Sequence, residues 1–343
     1  AGGNLYITGY ERGRDGWANN LFVMKLGNSG VVWKSTYGFI NANETGYGVA
    51  VDTSGYVYVA GSVNGIVGDD NIFAAKFSPS GVLLSTVTYA GSDNSSDAGY
   101  GIAVQGNNVY VTGVSMETGN GSSLWLGRFA ASNLAAQGAP LKLSSDPTGG
   151  YLEAGYDVTV DNLGYVYVAG EMYNPQADNN DAVVFKSSAD LVQVNGAFPI
   201  RYNSPGNARD AAYGIAMDAA GSLYVAGAQE RYDINQADNL WIRKYAQDGS
   251  ELWSQEFHSN AIPGDSYNYG SYSDQGFDLA VGTMGFVSVS GKFNGYYGLY
   301  KYKQSSTLNV NPLLTVIVSS AACASCASVP FPGVGVALIP YSK

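Results

Sequence analysis

Histidine and cysteine are almost absent from this chain. One histidine, His258, and two cysteines, Cys323 and Cys326, occur in 343 residues. A structural zinc site wants four Cys or His ligands, and these three cannot complete one. Cys323-Ala324-Ser325-Cys326 has the spacing of a redox pair. It falls in a loop rather than at a helix start, where a thiolate would be activated, so the expectation is a local disulfide or two inert thiols. No histidine follows it to mark haem attachment. No Ser-His-Asp arrangement is recognisable around His258, which ends a strand.

Charge is scarce as well. Charged residues make up 13% of the chain, against roughly 25% in ordinary soluble domains. Seventeen Lys and Arg face 28 Asp and Glu, for a net charge of −11. Such a chain lacks the basic footprint that phosphate backbones need, so no nucleic-acid partner is expected and an anionic membrane surface is disfavoured. The segment 313–341 carries no charge, the one place where a membrane span comes into question. Pro330, Pro332 and Pro340 within it argue against a lipid-facing helix, and no span is expected. No signal peptide is recognisable. The chain opens on the strand-like Asn4-Leu5-Tyr6-Ile7-Thr8-Gly9, as the mature form of a secreted protein would.

Glycine (45) and tyrosine (27) are abundant, a composition of many short strands and turns. Three sequons begin at Asn43, Asn94 and Asn120 and are candidates for glycosylation. Low charge, many tyrosines and few thiols together predict an extracellular or cell-surface location.

Self-similarity is the strongest signal. Gly46-Tyr47-Gly48-Val49-Ala50-Val51-Asp52 with Tyr56-Val57-Tyr58-Val59-Ala60-Gly61 recurs from Gly99, Gly155, Tyr213 and Gly276, at a spacing of about 52 to 64 residues. Each unit continues with an apolar run ending in a base (Lys25, Lys76, Arg128, Lys186, Lys244, Lys303) and then a fourth run such as Val31 to Tyr37. Alternating apolar residues between Gly-rich turns read as four strands, A to D. Four-stranded units at this period read as propeller blades. The first unit lacks its strand A, and Gly333 to Leu338 supplies the missing pattern at the other end. The prediction is all-β: one six-bladed β-propeller over 1–343, with 333–339 as strand A of the first blade. Closure of this kind removes open sheet edges.

The run Gly-Tyr-Gly-Val-Ala-Val-Asp, Gly-Tyr-Val-Tyr-Val-Ala-Gly, then Asp/Asn-x-Phe-x-x-Lys resembles the secreted SBBP-type β-propeller repeat. The resemblance covers essentially the whole chain and implies the fold. It implies little about function, since such repeats occur in many large extracellular proteins. The family label refers to seven blades, whereas six units are counted here.

Strand direction places the short A–B turns on one face. The long B–C loops (10–19, 62–70, 114–122, 171–180, 228–238, 292–297) and D–A loops (39–45, 90–98, 259–275) lie on the other, together with the sequons. An acid precedes strand A in five units: Glu44, Asp97, Glu153, Asp210 and Asp274. Such a ring could bind a cation, but a feature present once per blade more often bonds loop backbone. Asp52, Asp161 and Asp218 at the A–B turns are expected to pair with Lys76, Lys186 and Lys244. Tyr267, Tyr269 and Tyr272, joined by Trp17, Tyr296 and Tyr297, are the candidate binding aromatics.

No catalytic residue, metal or cofactor is expected. Trp33 recurs only as Trp253, so the faint likeness of Lys25 to Trp33 to quinone-cofactor propellers does not hold around the ring. The first functional reading is a non-catalytic structural or interaction protein of a prokaryotic surface assembly, fibre or adhesin. Its partner would be itself or surface glycans, including donation of the C-terminal strand to a neighbour. The second is a carbohydrate-binding propeller. The third is a polysaccharide hydrolase or lyase, which needs two nearby carboxylates.

Overall fold

The computed structural model describes residues 4–13, 18–38, 42–64, 69–93, 95–119, 121–146, 149–234, 236–258, 273–282, 286–293, 296–303, 314–317 and 336–337. Their strands form six four-stranded antiparallel sheets. The first sheet holds β1 (Leu5–Arg12), β2 (Asn19–Gly27) and β3 (Gly30–Tyr37). The second holds β4 (Glu44–Val51), β5 (Val57–Asn64), β6 (Asp70–Phe77) and β7 (Leu83–Tyr89). The third holds β8 (Ala98–Gln105), β9 (Asn108–Glu117), β10 (Gly121–Ala130) and β11 (Leu141–Leu143). The fourth holds β12 (Ala154–Val160), β13 (Val166–Asn174), β14 (Asn179–Ser187) and β15 (Ile200–Tyr202). The fifth holds β16 (Asp210–Met217), β17 (Leu223–Glu230), β18 (Asp238–Tyr245) and β19 (Glu251–Phe257). The sixth holds β20 (Gln275–Val281), β21 (Phe286–Phe293), β22 (Tyr296–Lys303) and β23 (Leu314–Ile317). The predicted closing strand is β24 (Val336–Ala337), which completes the first sheet by pairing with Tyr6 and Ile7 of β1.

The first strands of successive blades, β4, β8, β12, β16 and β20, pack on one another and form the inner wall. Second strands are buried almost throughout, as at Val57 to Val63. Fourth strands such as β7 and β19 alternate half-buried and exposed residues and form the outer edge. The core is the set of apolar layers between adjacent blades. Tyr58, Ile72, Val111 and Trp125 fill one such layer, and Tyr167, Val184, Val225 and Trp241 another.

Three predictions need correction. The B–C loops are shorter than read, because the middle two strands continue past the barrel of the repeat as hairpins: Glu117 still pairs with Gly121, and Asn174 with Asn179. The fourth strands of blades three and four are short, since long C–D connections replace their first halves. Among the turn ion pairs, only Lys244–Asp218 forms, at 3.3 Å. The Lys76 ammonium instead donates to the carbonyls of Ala131 (2.7 Å) and Ser132 (3.0 Å) in the next blade. Lys186 lies over the Tyr165 and Tyr167 rings, 4.4 and 4.9 Å from their centroids. A cation enclosed by rings and carbonyls needs no carboxylate.

The aspartates have a different task. In each of the three turns one carboxylate oxygen accepts two backbone N–H groups, and the other accepts the hydroxyl of the strand-B tyrosine. For Asp161 these are Leu163, Tyr165 and Tyr167; Asp52 and Asp218 repeat the pattern. This is an Asx turn with a phenol tether.

Candidate functional site

The inner strands of blades two to six each have a β-bulge at the same place. The pairing skips Tyr47, Tyr100, Tyr156, Tyr213 and Phe277 in turn. A bulge leaves one residue unpaired and re-aims its side chain. Here the five rings form a continuous belt around the inner wall, with successive centroids 5.4, 5.6, 5.0 and 6.0 Å apart. The bulge also explains the glycine that ends each strand B. A Cβ on Gly113 would lie 1.8 Å from the Ala98 carbonyl oxygen, and one on Gly227 would lie 2.0 Å from that of Ala211. Burial raises the Tyr156 phenol well above its ordinary range, with the Glu171 charge adding to the effect. Burial likewise pushes Tyr213 up to about 12. The belt is therefore neutral and its hydroxyls are donors.

At the long-loop end of the belt sits Glu171, fully buried on β13. Arg209 donates to it through Nε (2.7 Å) and Nη2 (2.6 Å), Asn180 through Nδ2 (3.0 Å), and the Tyr156 hydroxyl also donates. Both carboxylate oxygens are engaged by fixed donors. Arg209 keeps 41% of its side chain exposed at the mouth.

One residue past the belt, the repeat has Gly48, Gly101 and Gly214, but Asp157 and Asp278 in blades four and six. Asp157 accepts N–H groups from Val158 (2.8 Å) and, across to blade five, Ile215 (2.9 Å). Asp278 accepts from Leu279 (2.7 Å). Both carboxyls keep slight contact with the axial space while protein encloses them. Burial pushes Asp157 up to about 6; burial and then the Asp157 charge push Asp278 up to about 8. Burial and the charge of a like neighbour both favour the protonated form of a carboxyl. Both acids stand in a tightly packed wall. A Cβ on Gly101 would come within 2.6 Å of the Asp157 Cα. The blade four–five crevice lined by Ala182, Ile200, Ala212 and Trp241 has no room for even a water molecule, whereas small ligand pockets enclose roughly 300 Å³.

The acids before strand A are all buried. Asp97 accepts N–H groups from Gly91 and Met116. Glu153 accepts from Ser145 at 2.9 Å and Tyr173 at 3.0 Å, and Asp210 from Ser204 at 2.6 Å. These three anchor loops to blades, as the once-per-blade argument anticipates.

Of the candidate binding aromatics, Trp17, Tyr267, Tyr269 and Tyr272 lie outside the described residues, and so do Asn94, Asn120, Cys323 and Cys326. The backbones of Tyr296 and Tyr297 pair with Phe293 and Lys292 in the β21–β22 hairpin. Asn43 is exposed; its side-chain oxygen accepts the Asn19 N–H at 2.9 Å, leaving the amide nitrogen that a glycan would use. His258 is exposed at the end of β19. The belt and the axial aspartates were missed because the repeated Tyr reads as strand filling. The signal for the aspartates was legible: two acids stand where three other repeats have glycine.

No protein-family model matches the chain, and no curated protein matches it. Among solved structures, a protein from Lactobacillus plantarum superposes with a TM-score of 0.51 at 10% identity, over 92% of this chain and 83% of that one. A putative exo-β-1,3-galactanase from Bifidobacterium bifidum superposes with a TM-score of 0.46 at 11% identity, over 80% of this chain and 91% of that one. Extracellular domains 1–2 of Drosophila Semaphorin 1b give a TM-score of 0.42 at 8% identity, over 75% and 51%. The likeness is to β-propellers, and at these identities it speaks to fold alone.

Proposed function

We propose that the chain is a non-catalytic extracellular structural or interaction protein of the SBBP-type repeat class, a self-associating component of a prokaryotic cell-surface assembly, fibre or adhesin. One observation carries this reading. In blades one, two and five the C–D pairing skips the same residue, so that Val32, Leu84 and Leu252 each bulge from the outer strand. They are 56%, 51% and 53% exposed. Outer strands are open sheet edges, and apolar residues along such an edge favour association with another chain. The polar groups of the inner wall support the same reading, because Glu171, Glu153 and Asp97 are engaged by the ring itself. Glycans on Asn43, Asn94 and Asn120 would cover the opposite, long-loop face and leave the outer edges free. The role requires no cofactor.

The test is light scattering with negative-stain electron microscopy on the native protein and on a Val32→Lys, Leu84→Lys, Leu252→Lys variant. Fibres, sheets or regular oligomers that the variant loses support the proposal. A monomer of 36.0 kDa at high concentration overturns it.

A second reading, glycan binding, rests on one pair. Tyr151 and Tyr173 stack at 4.7 Å on the long-loop face, and both hydroxyls donate to Asp178. A fixed aromatic platform beside a carboxylate suits a sugar ring. Loss of glycan-array binding in Tyr151→Ala would support it.

A further inference from the structure

Four side-chain oxygens at the blade four–five junction have no donor among the described residues, and three of them belong to Asn179, Asp181 and Asp210. Asp181 is 2% exposed and Asp210 is fully buried. Each has one satisfied oxygen. The Asp181 Oδ2 accepts from Asn174 Nδ2 at 2.7 Å and has the Arg201 guanidinium at 4.0 Å. The Asp210 Oδ2 accepts the Ser204 N–H at 2.6 Å. The Oδ1 of Asp181, the Oδ1 of Asp210 and the Oδ1 of Asn179 are buried with no hydrogen-bond partner among the described residues. A buried carboxylate oxygen without a donor is costly, and native structures rarely leave one so.

Local structure brings the three together. Asn179 and Asp181 are two apart on β14, so they project from the same face of the strand. Asn179 Nδ2 donates to the Asn207 carbonyl at 2.6 Å, in the same short loop whose Ser204 N–H bonds Asp210. That loop is closed on itself by the Asn207 N–H bond to the Ser204 carbonyl at 2.9 Å. Among the further groups of this kind on these two blades are Asn180 Oδ1, between the two β14 residues in sequence, and Gln229 Nε2, on the residue that pairs with Asp210 in β17; the Gln229 oxygen accepts the Tyr202 hydroxyl. The repeat sharpens the point. Asp181 occupies a position that is Asn20, Asn71 and Asn239 in blades one, two and five. An asparagine there carries its own donor, whereas the aspartate brings a second charge beside Asp210.

We propose that Asp181, Asp210 and Asn179 form a calcium site that locks the 203–207 loop to blades four and five. Oxygen-only ligands from two carboxylates and an amide suit a hard cation with flexible coordination, and extracellular modules bind calcium at about 10⁻⁴ to 10⁻³ M. Histidine and thiolate ligands for softer metals are not among these residues.

The test is thermal unfolding and isothermal titration calorimetry with calcium chloride, with magnesium chloride and EDTA as controls, on the native protein and on Asp181→Asn. The expected result is a calcium-dependent rise in Tm of about 2–4 °C at saturation. Magnesium gives less, and Asp181→Asn abolishes the rise while unfolding in EDTA no earlier than the native chain. The substitution installs the residue that three other blades carry, so folding is retained. Two results overturn the site. One is a calcium response that survives in Asp181→Asn. The other is no response in the native protein while Asp181→Asn raises Tm in EDTA, which would mean that the two carboxylates hold a proton.

Discussion

Gly214 stands so close to Asp278 that a Cβ on the glycine would lie 2.7 Å from the aspartate's Cα. The inner strands of blades five and six touch backbone to backbone at this level, and the repeat's second glycine is a condition of that approach. Gly214→Ala should therefore destabilise the protein by about 2–4 kcal/mol, because backbone rather than a flexible side chain must move. Gly282→Ala, whose Cβ would meet nothing nearer than 3.7 Å, should change stability by less than about 1 kcal/mol. Urea denaturation of both variants checks the contrast, and equal effects would refute it.

The axial aspartates set a pH dependence. Asp157 and Asp278 are pushed up to about 6 and about 8, above the roughly 3.9 of an unfolded aspartate. Groups with raised pKa values stabilise the fold fully below the unfolded value, and that contribution is lost as pH rises through the folded values. Asp278→Asn removes the conflict. Its stability relative to the native chain should rise between pH 4 and pH 8 by about 1–3 kcal/mol. Parallel melting curves across that range would show that the pair carries no shared proton.

Glu171 depends on Arg209. Arg209→Met leaves a buried carboxylate with two donors fewer, at a cost of about 2–4 kcal/mol after allowance for the partial exposure of the guanidinium. Arg209→Lys should recover only part, since an ammonium cannot reproduce the two-pronged bond. Combining Arg209→Met with Glu171→Gln should cost less than the sum of the two. Chemical denaturation of the four proteins measures the coupling, and strict additivity would disprove it.

The closing strand protects β1. Removing residues 333–343 leaves Tyr6 and Ile7 without their strand partners Ala337 and Val336. The shortened protein should melt at least several degrees lower and associate through the exposed edge. Adding a synthetic peptide of residues 333–343 should restore the melting temperature. A truncated protein that stays monomeric at native stability would show that β24 is dispensable.

The legible part of this molecule is periodic. Repeated Gly-Tyr-Gly and Val-Ala-Gly runs, bases ending strand C and the displaced strand A at 333–339 specify blades and their closure, because alternation and turn chemistry are local properties. Two of the three salt bridges expected at the A–B turns did not form, for different reasons. Lys76 found carbonyls in the following blade, which spacing within one unit does not reveal, whereas Lys186 lies over Tyr165 and over Tyr167, its strand partner in the same blade.

The repeat alone, then, determines six sheets of four strands and the acid that anchors three of the long loops. What the packed ring decided is which side chains meet across blades. The bulge turns an unremarkable strand tyrosine into one member of an aromatic belt. Close inner strands enclose two acids that stand where other repeats have glycine. The junction of blades four and five sets Asp181 beside Asp210. Each of these joins residues more than 25 positions apart in the chain. Only the closing of the ring fixes their separation, and separation and burial together set how strongly charges act on one another.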